Sequence, residues 1–280
     1  MDGFLGDKRE NYMFNPIFTL TSQIVQLLMK LAQLKQEIQN LPITPTVLVS
    51  LRESVRLEAS HYSTLIEGNR LTLDQVEGLI KMGSSLLGRK RDEEEVLGYY
   101  AALEKIKIMF QAHQPLTEKD IQYIHALVMG KGRTKIRPTS YRDGQNAIYD
   151  SQSKRLVYLP PEAHDVHGLM KDLVDWINLA EQQDIPCPLR AAIAHYQFAT
   201  IHPYYDGNGR TARLLATIIL HRGGYDLKGL YSLEEYYAKN LSAYYDALSI
   251  GASHNYYFGR AEADITSWLK SGVTSEVKKV

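Results

Sequence analysis

The chain has 280 residues, 44% of them hydrophobic and 23% charged, an ordinary globular balance for one large domain or two small ones. Lys plus Arg equals Asp plus Glu at 32 each, so no global field draws in nucleic acid, and any phosphate chemistry has to come from a local site. Cys187, the single cysteine, excludes an internal disulfide and fits a reducing compartment; with Pro186 and Pro188 beside it and no activating neighbour, it reads as structural. No run of about 18 apolar residues offers a membrane span. Met1–Arg9 is polar and lacks the basic-then-apolar order of a signal peptide, so a cytoplasmic protein is expected.

In chain order, Leu20, Ile24, Leu27, Leu28, Leu31, Leu34 and Ile38 recur at helical spacing, and Pro42 and Pro45 end that helix. A second helix is predicted from about Val47 through Glu67, stopping at Gly68-Asn69. Thr72-Leu73-Asp74-Gln75 reads as a capping box for a short helix that ends near Gly83. After a basic connector, Val96, Tyr100, Leu103, Ile106 and Phe110 mark another helix. Thr117 caps the next, with Ile121, Ile124, Leu127 and Val128 on its core face and Gly130 and Gly132 at its end. Asn146–Tyr149 and Arg155–Leu159 are β-prone runs joined by the polar link Asp150–Lys154, a hairpin pattern. Helices follow over Val166–Leu179, from Pro188, and from Arg210 to about Arg222. A Tyr-rich helix capped at Ser232-Leu233-Glu234-Glu235 comes next, and a last one over Ala261–Leu269. The expected class is mainly α with one β-hairpin.

The most informative segment is His202-Pro203-Tyr204-Tyr205-Asp206-Gly207-Asn208-Gly209-Arg210-Thr211-Ala212-Arg213, followed at once by an apolar run. It is a loop that opens a helix. Its glycines admit close backbone approach, and the helix start offers unpaired N–H donors to an anion. Arg210 and Arg213 share a helix face, yet cations in a first turn oppose the helix dipole by roughly 0.3–1 kcal/mol each. A polyphosphate between them resolves the conflict. His202, four residues before the anion site, is placed to take a proton from an attacking hydroxyl, with activity rising through the imidazole range near an unperturbed pKa of about 6.5. Glu67 poses the mirror-image conflict, a carboxylate at a helix C-terminus; on these residues alone it reads as a surface Glu beside a cap.

The His202–Arg213 segment resembles the signature of the Fic family, H-P-F-x-[D/E]-G-N-G-R-x-x-R, departing from it only in Tyr204 for Phe. The resemblance implies a Fic-type helical core with a β-hairpin flap beside the active site. It also implies a protein adenylyltransferase that moves AMP from ATP to a side-chain hydroxyl of a target protein and releases pyrophosphate. By motif position, His202 is then the general base and Asp206 the Mg2+ ligand. Gly207, Asn208, Gly209 and Thr211 belong to the nucleotide-binding loop, Arg210 holds the β- and γ-phosphates, and Arg213 the γ-phosphate. Ser63-x-x-x-Glu67-Gly68 is similar to the family's inhibitory helix motif, in which this Glu pairs with the second signature arginine, here Arg213. Some members use the same Glu to help water remove AMP.

Further expectations follow from the resemblance. Leu156, Val157 and Tyr158 on the flap cover the nucleotide, and the hairpin 146–159 pairs with a segment of the target protein. Tyr244, in Tyr244-Tyr245-Asp246-Ala247-Leu248, lies near the adenine. A family Asn that contacts adenine has no clear counterpart; Ala252 falls near its place and Asn255 is the substitute. The expected divisions are 1–92, carrying the inhibitory helix (about 47–68); 93–116, a connecting helix; 117–271, the catalytic domain; and 272–280, a tail. Many members continue into a winged-helix module. Gly209 argues against Doc-type phosphorylation, which places a lysine there, and the intact His202 and arginines argue against a non-catalytic regulator. No nucleic acid or membrane partner is expected, and self-association is left open. His195 reads as a core histidine. His164 and His167, an i, i+3 pair, have no further metal ligand positioned by the sequence.

Overall fold

The computed structural model describes residues 14–109, 114–133, 135–149, 153–183, 185–250 and 254–279. Phe110, most of the predicted hairpin link and Ala252 lie outside them. The elements are α1 (Ser22–Gln39), α2 (Pro45–Ile66), α3 (Leu73–Met82), α4 (Lys90–Met109), α5 (Glu118–Met129), β1 (Ile148–Tyr149), β2 (Leu156–Tyr158), α6 (Ala163–Gln182), α7 (Cys187–Ile201), α8 (Asn208–Arg222), α9 (Leu233–Lys239), α10 (Leu241–Leu248) and α11 (Thr266–Lys279). The architecture is mainly helical with one two-stranded antiparallel sheet, in register Ile148 with Tyr158 and Tyr149 with Leu156.

Local chemistry sets several helix ends. Thr72 with Gln75 and Thr117 with Asp120 form reciprocal capping boxes at α3 and α5. Pro45 occupies the first turn of α2, where its missing N–H is harmless. Gly83 closes α3 in the left-handed conformation, φ 66°.

The core centres on α7, whose residues from Cys187 to Phe198 are all buried. It pairs with α8 as a helical hairpin, flanked by α6 and α11 on one side, while α2, α4 and α5 close on α8. Ile24 of α1 and Ile66 of α2 belong to the same apolar cluster as α7, so the N-terminal helices share the central core. An isolated bridge from Ile17 to Asp264 ties the two ends of the described chain together.

Two helix assignments differ from the pattern. The last helix is not Ala261–Leu269 but Thr266–Lys279, so the expected tail from 272 is mostly ordered helix, with Gly272, Val273, Ser275 and Glu276 buried. Gly272 lies inside this helix and is buried. In space it is a contact: a Cβ there would lie 3.2 Å from that of Ala192, so the glycine lets α11 press onto α7. Trp268 secures the crossing by donating to Ala192 O at 2.7 Å. The Tyr-rich helix is broken into α9 and α10 at Asn240, whose side chain donates to Tyr236 O at 2.8 Å. Ser232 stands at the start of α9 without capping it, because its hydroxyl is turned to Glu234.

Candidate active site

The motif loop joins α7 to α8 at one end of the central hairpin. His202 ends α7 in the left-handed region (φ 52°, ψ 58°), uncommon for a residue with a side chain. Several hydrogen bonds hold it there. Arg142, 4% exposed, donates from Nε to His202 O and from its backbone N–H to Pro203 O, at 3.0 and 2.9 Å. Its guanidinium also reaches Gly144 O and Pro161 O, clamping the loop to the base of the hairpin. Asn208 bridges the loop internally, accepting from Tyr204 N–H at 2.9 Å and donating to Tyr204 O at 2.7 Å.

His125 of α5 supports the other side. Its ring stacks on Tyr204 with centroids 3.5 Å apart, and its Nε2 donates to Asp206 O at 2.9 Å. Gly207 opens α8 at φ 76°, with room for no side chain: a Cβ would sit 2.8 Å from Met129 Sδ. The Asp206 carboxylate takes the Gly207 N–H at 2.6 Å and lies 3.2 Å from Arg210 Nη2, while its side chain stays 58% exposed.

The two arginines are buried at this helix start, and each keeps a buried nitrogen without a partner among the described residues: Nε of Arg210 and Nη1 of Arg213. Glu67, at the end of α2, reaches this place. Its Oε1 accepts from Arg213 Nη2 at 2.8 Å and lies 2.2 Å from where a Cβ on Gly209 would be. A carboxylate thus rests directly on the first turn of α8, where an anion is favoured. Ser63, one turn earlier on α2, accepts from Arg213 Nε with its hydroxyl and from Nη2 with its carbonyl, both at 2.9 Å. Burial penalises the Arg213 charge, but the Glu67 carboxylate and neighbouring phenols outweigh it and push the pKa above the ordinary guanidinium range.

Residues 115–220 match the model of the Fic/DOC family. The chain carries a Fic domain. It is similar to protein adenylyltransferase fic-1 of Caenorhabditis elegans, 31% identical over 222 residues that make up 76% of this chain and 41% of that protein. The protein adenylyltransferase Fic of Drosophila willistoni is 34% identical over 166 residues, 59% of this chain and 32% of its own. The chain therefore spans about two-fifths or less of these curated relatives. Among solved structures, a Fic family protein from Desulfovibrio desulfuricans G20 superposes with a TM-score of 0.76 at 28% identity, covering 95% of this chain and 75% of that one.

Not every residue marked on the Fic motif presents its side chain to the site. His202, Asp206, Gly209, Arg210 and Arg213 come together there, with Ser63 and Glu67 from α2. Thr211 is wholly buried and spends its hydroxyl on Gly207 O at 2.8 Å. Tyr244 is in the core, 3.0 Å from His195 Nε2; the half-exposed ring is Tyr245, which donates to Ile66 O. On the flap, Leu156 and Val157 are exposed, but Tyr158 turns inward and donates to Thr200 O at 2.8 Å. Asn255 accepts from Tyr257 N–H. His195 is a core histidine, and Cys187 a buried thiol pushed up to about 12 by burial. His164 and His167 lie on the surface beside Glu162, Asp165 and Glu118.

Sequence reasoning missed His125 and Arg142. His125 sat unremarked between two core positions of α5, and Arg142 in a loop with no motif; neither carried a local signal. The expected titration of His202 is also corrected. Burial pushes it down to about 4, against the opposing pull of Ala199 O and the Glu67 charge, so the imidazole is neutral at working pH. Its Nδ1 lies 3.3 Å from Ala199 O, which assigns the proton to Nδ1 and leaves the Nε2 lone pair for the site.

Two predictions follow from these surroundings. His125, His195 and His202 are pushed down to about 4, 3 and 4, chiefly by burial, from roughly 6.5 when unfolded. The unfolded chain then binds more protons, so this stability is complete above about pH 6.5 and is lost as pH falls toward 4, by up to roughly 3 kcal/mol per histidine. Urea titrations across that range should show the decline; a flat profile would contradict the burial assigned to these rings. Tyr204 Oη is buried without a partner among the described residues. Tyr204→Phe should therefore raise the unfolding free energy by about 1 kcal/mol, read by denaturant melts, since an unsatisfied buried hydroxyl is removed.

Proposed function

We propose that the chain is an ATP- and Mg2+-dependent protein adenylyltransferase that transfers AMP to a Ser, Thr or Tyr hydroxyl of a target protein and is held inactive by Glu67. The 2.8 Å contact of Glu67 with Arg213, over the start of α8, carries this reading. A carboxylate occupies the place that suits a phosphate, beside two buried guanidinium nitrogens without hydrogen-bond partners among the described residues. The curated names of the relatives support the same reaction.

His202 Nε2 takes the proton of the target hydroxyl as its oxygen forms a bond to the α-phosphorus. The bond from that phosphorus to the β-phosphate oxygen breaks, and pyrophosphate leaves. The first N–H groups of α8 and Arg210 hold the phosphate oxygens, and Arg213 joins them once Glu67 withdraws. The exposed Asp206 carboxylate suits a hard divalent cation, which would offset phosphate charge there. Asn208 and Arg142 keep the loop in shape. The open edge of β1 offers a strand of the target its backbone partners, placing the hydroxyl near His202.

His202→Ala should reduce self-adenylylation, read by intact mass, by a factor of about 10² or more while ATP still binds. In the Glu67→Gly variant, transfer should be level from about pH 6 to 8, because the base is already neutral and loss of the Glu67 charge lowers its pKa further. A rise centred near 6.5 would assign another base.

Glu67→Gly should raise transfer well above the parent. It should also lower the melting temperature modestly, since Arg213 loses its counter-ion, and MgATP should restore more stability to it than to the parent. Adding Arg213→Ala should abolish the gain. If Glu67→Gly leaves transfer unchanged, the inhibitory role fails.

A further inference from the structure

Glu67 stands where α2 runs out. The last turn of a helix has no ladder beyond it, and such ends open more readily than helix interiors. Yet the carboxylate is held on Arg213 at 2.8 Å. Ser63 fixes the turn before it; after it come Gly68, left-handed at φ 90°, and Asn69. Gly68 and Arg70 are exposed, whereas Asn69 between them is only 5% exposed.

Burying an amide costs free energy unless its polar atoms find partners, and those of Asn69 do. Its Nδ2 donates to Asp92 O at 2.9 Å and to Glu95 Oε2 at 3.1 Å, near the start of α4. Its Oδ1 accepts from Leu71 N–H at 3.1 Å, and its own N–H closes the helix end on Thr64 O at 3.1 Å. Arg91 donates to the other oxygen of Glu95 at 3.0 Å. The end of α2 is thereby tied to α4. In turn α4 presses on α5, because a Cβ on Gly98 would overlap Val128 O. The helix α5 bears on the motif loop, where Met129 and His125 leave Gly207 no room for a side chain. Asn69 therefore fastens the end of α2 to the same packed frame that holds the start of α8.

We propose that Asn69 is a positioning residue for Glu67: by fastening the end of α2 to α4, it holds the carboxylate over Arg213. This rests on the reading of Glu67 as the inhibitor. The Ser63 contacts keep α2 docked on Arg213 whether or not its end is fastened. Loss of the fastening then frees the last turn alone. With 32% of its side chain exposed, Glu67 has solvent to turn to, and in a fraction of molecules it leaves the place that suits a phosphate. The residues of the motif loop are unaltered.

The test compares three variants. Asn69→Asp keeps an acceptor for Leu71 N–H but sets a carboxylate against Glu95. Glu95→Ala removes a partner from the α4 side and leaves Asn69 intact. Glu95→Gln keeps an acceptor there. The first readout is amide hydrogen exchange at positions 68 and 69. It should be about tenfold faster in Asn69→Asp and in Glu95→Ala, the scale of one hydrogen bond to a charged group, and as in the parent in Glu95→Gln. The second is the initial rate of self-adenylylation, read by intact mass. It should rise about fivefold or more in Asn69→Asp and Glu95→Ala, stay below Glu67→Gly, and remain parental in Glu95→Gln. In the Glu67→Gly chain, Asn69→Asp should change the rate less than about twofold, because no carboxylate is left to hold; a merely structural role would lower the rate in both backgrounds. Should Asn69→Asp fail to fold, Glu95→Ala decides by the same two readouts. Unchanged exchange overturns the proposal, as does a parental rate in these variants where Glu67→Gly is raised. Faster exchange beside a Glu67→Gly chain no more active than the parent upholds the fastening and refutes the inhibitory reading instead.

Discussion

The structure turns on a buried positive charge. Arg213 lies in the second turn of α8, and its side chain is only 2% exposed. An isolated guanidinium in that place is unfavourable, so the protein surrounds it with acceptors: the Ser63 hydroxyl and carbonyl and the Glu67 carboxylate. All of these come from one helix, α2, which is thereby locked across the mouth of the motif loop. In the proposed function, the contact that docks α2 also puts a carboxylate where a phosphate would bind. On that reading, folding and inhibition share one electrostatic cause, and a nucleotide polyphosphate would compete for the charge that secures the helix.

Around that charge, the loop is built for rigidity. His202 is held in a left-handed conformation by an arginine that donates to backbone carbonyls alone, and Tyr204 is stacked on His125. Asn208 crosses the loop with both ends of its amide. These groups spend their polarity on shape, which is why the motif residues left over, His202 Nε2, the Asp206 carboxylate and the two guanidiniums, point where they do. A site of this kind works by positioning charge, and the burial that lowers the His202 pKa also strengthens every interaction inside it.

Where pattern and structure part, the cause is contact across the fold. The resemblance places Tyr244 near the adenine; its ring packs in the core against His195, Tyr237 and Trp268. Thr211 sits in the motif, yet helical geometry gives its hydroxyl to Gly207 O. The last helix runs past Leu269 because Gly272 lets α11 lie against α7.

The sequence by itself determined what depends on near neighbours along the chain. Capping boxes at Thr72 and Thr117, the helical repeats, the β-prone runs and the loop from His202 to Arg213 are all local, and together they carry the fold class and most of the site. It also marked two electrostatic conflicts, a carboxylate ending one helix and cations starting another. The motif resemblance pointed to their pairing, but only the tertiary structure brings them into contact, because Glu67 and Arg213 are 146 positions apart and a meeting at that separation leaves no periodic trace. The same reason hides His125 and Arg142. Each acts through partners supplied by other elements, and burial, which sets their charge states, is a property of the packed molecule.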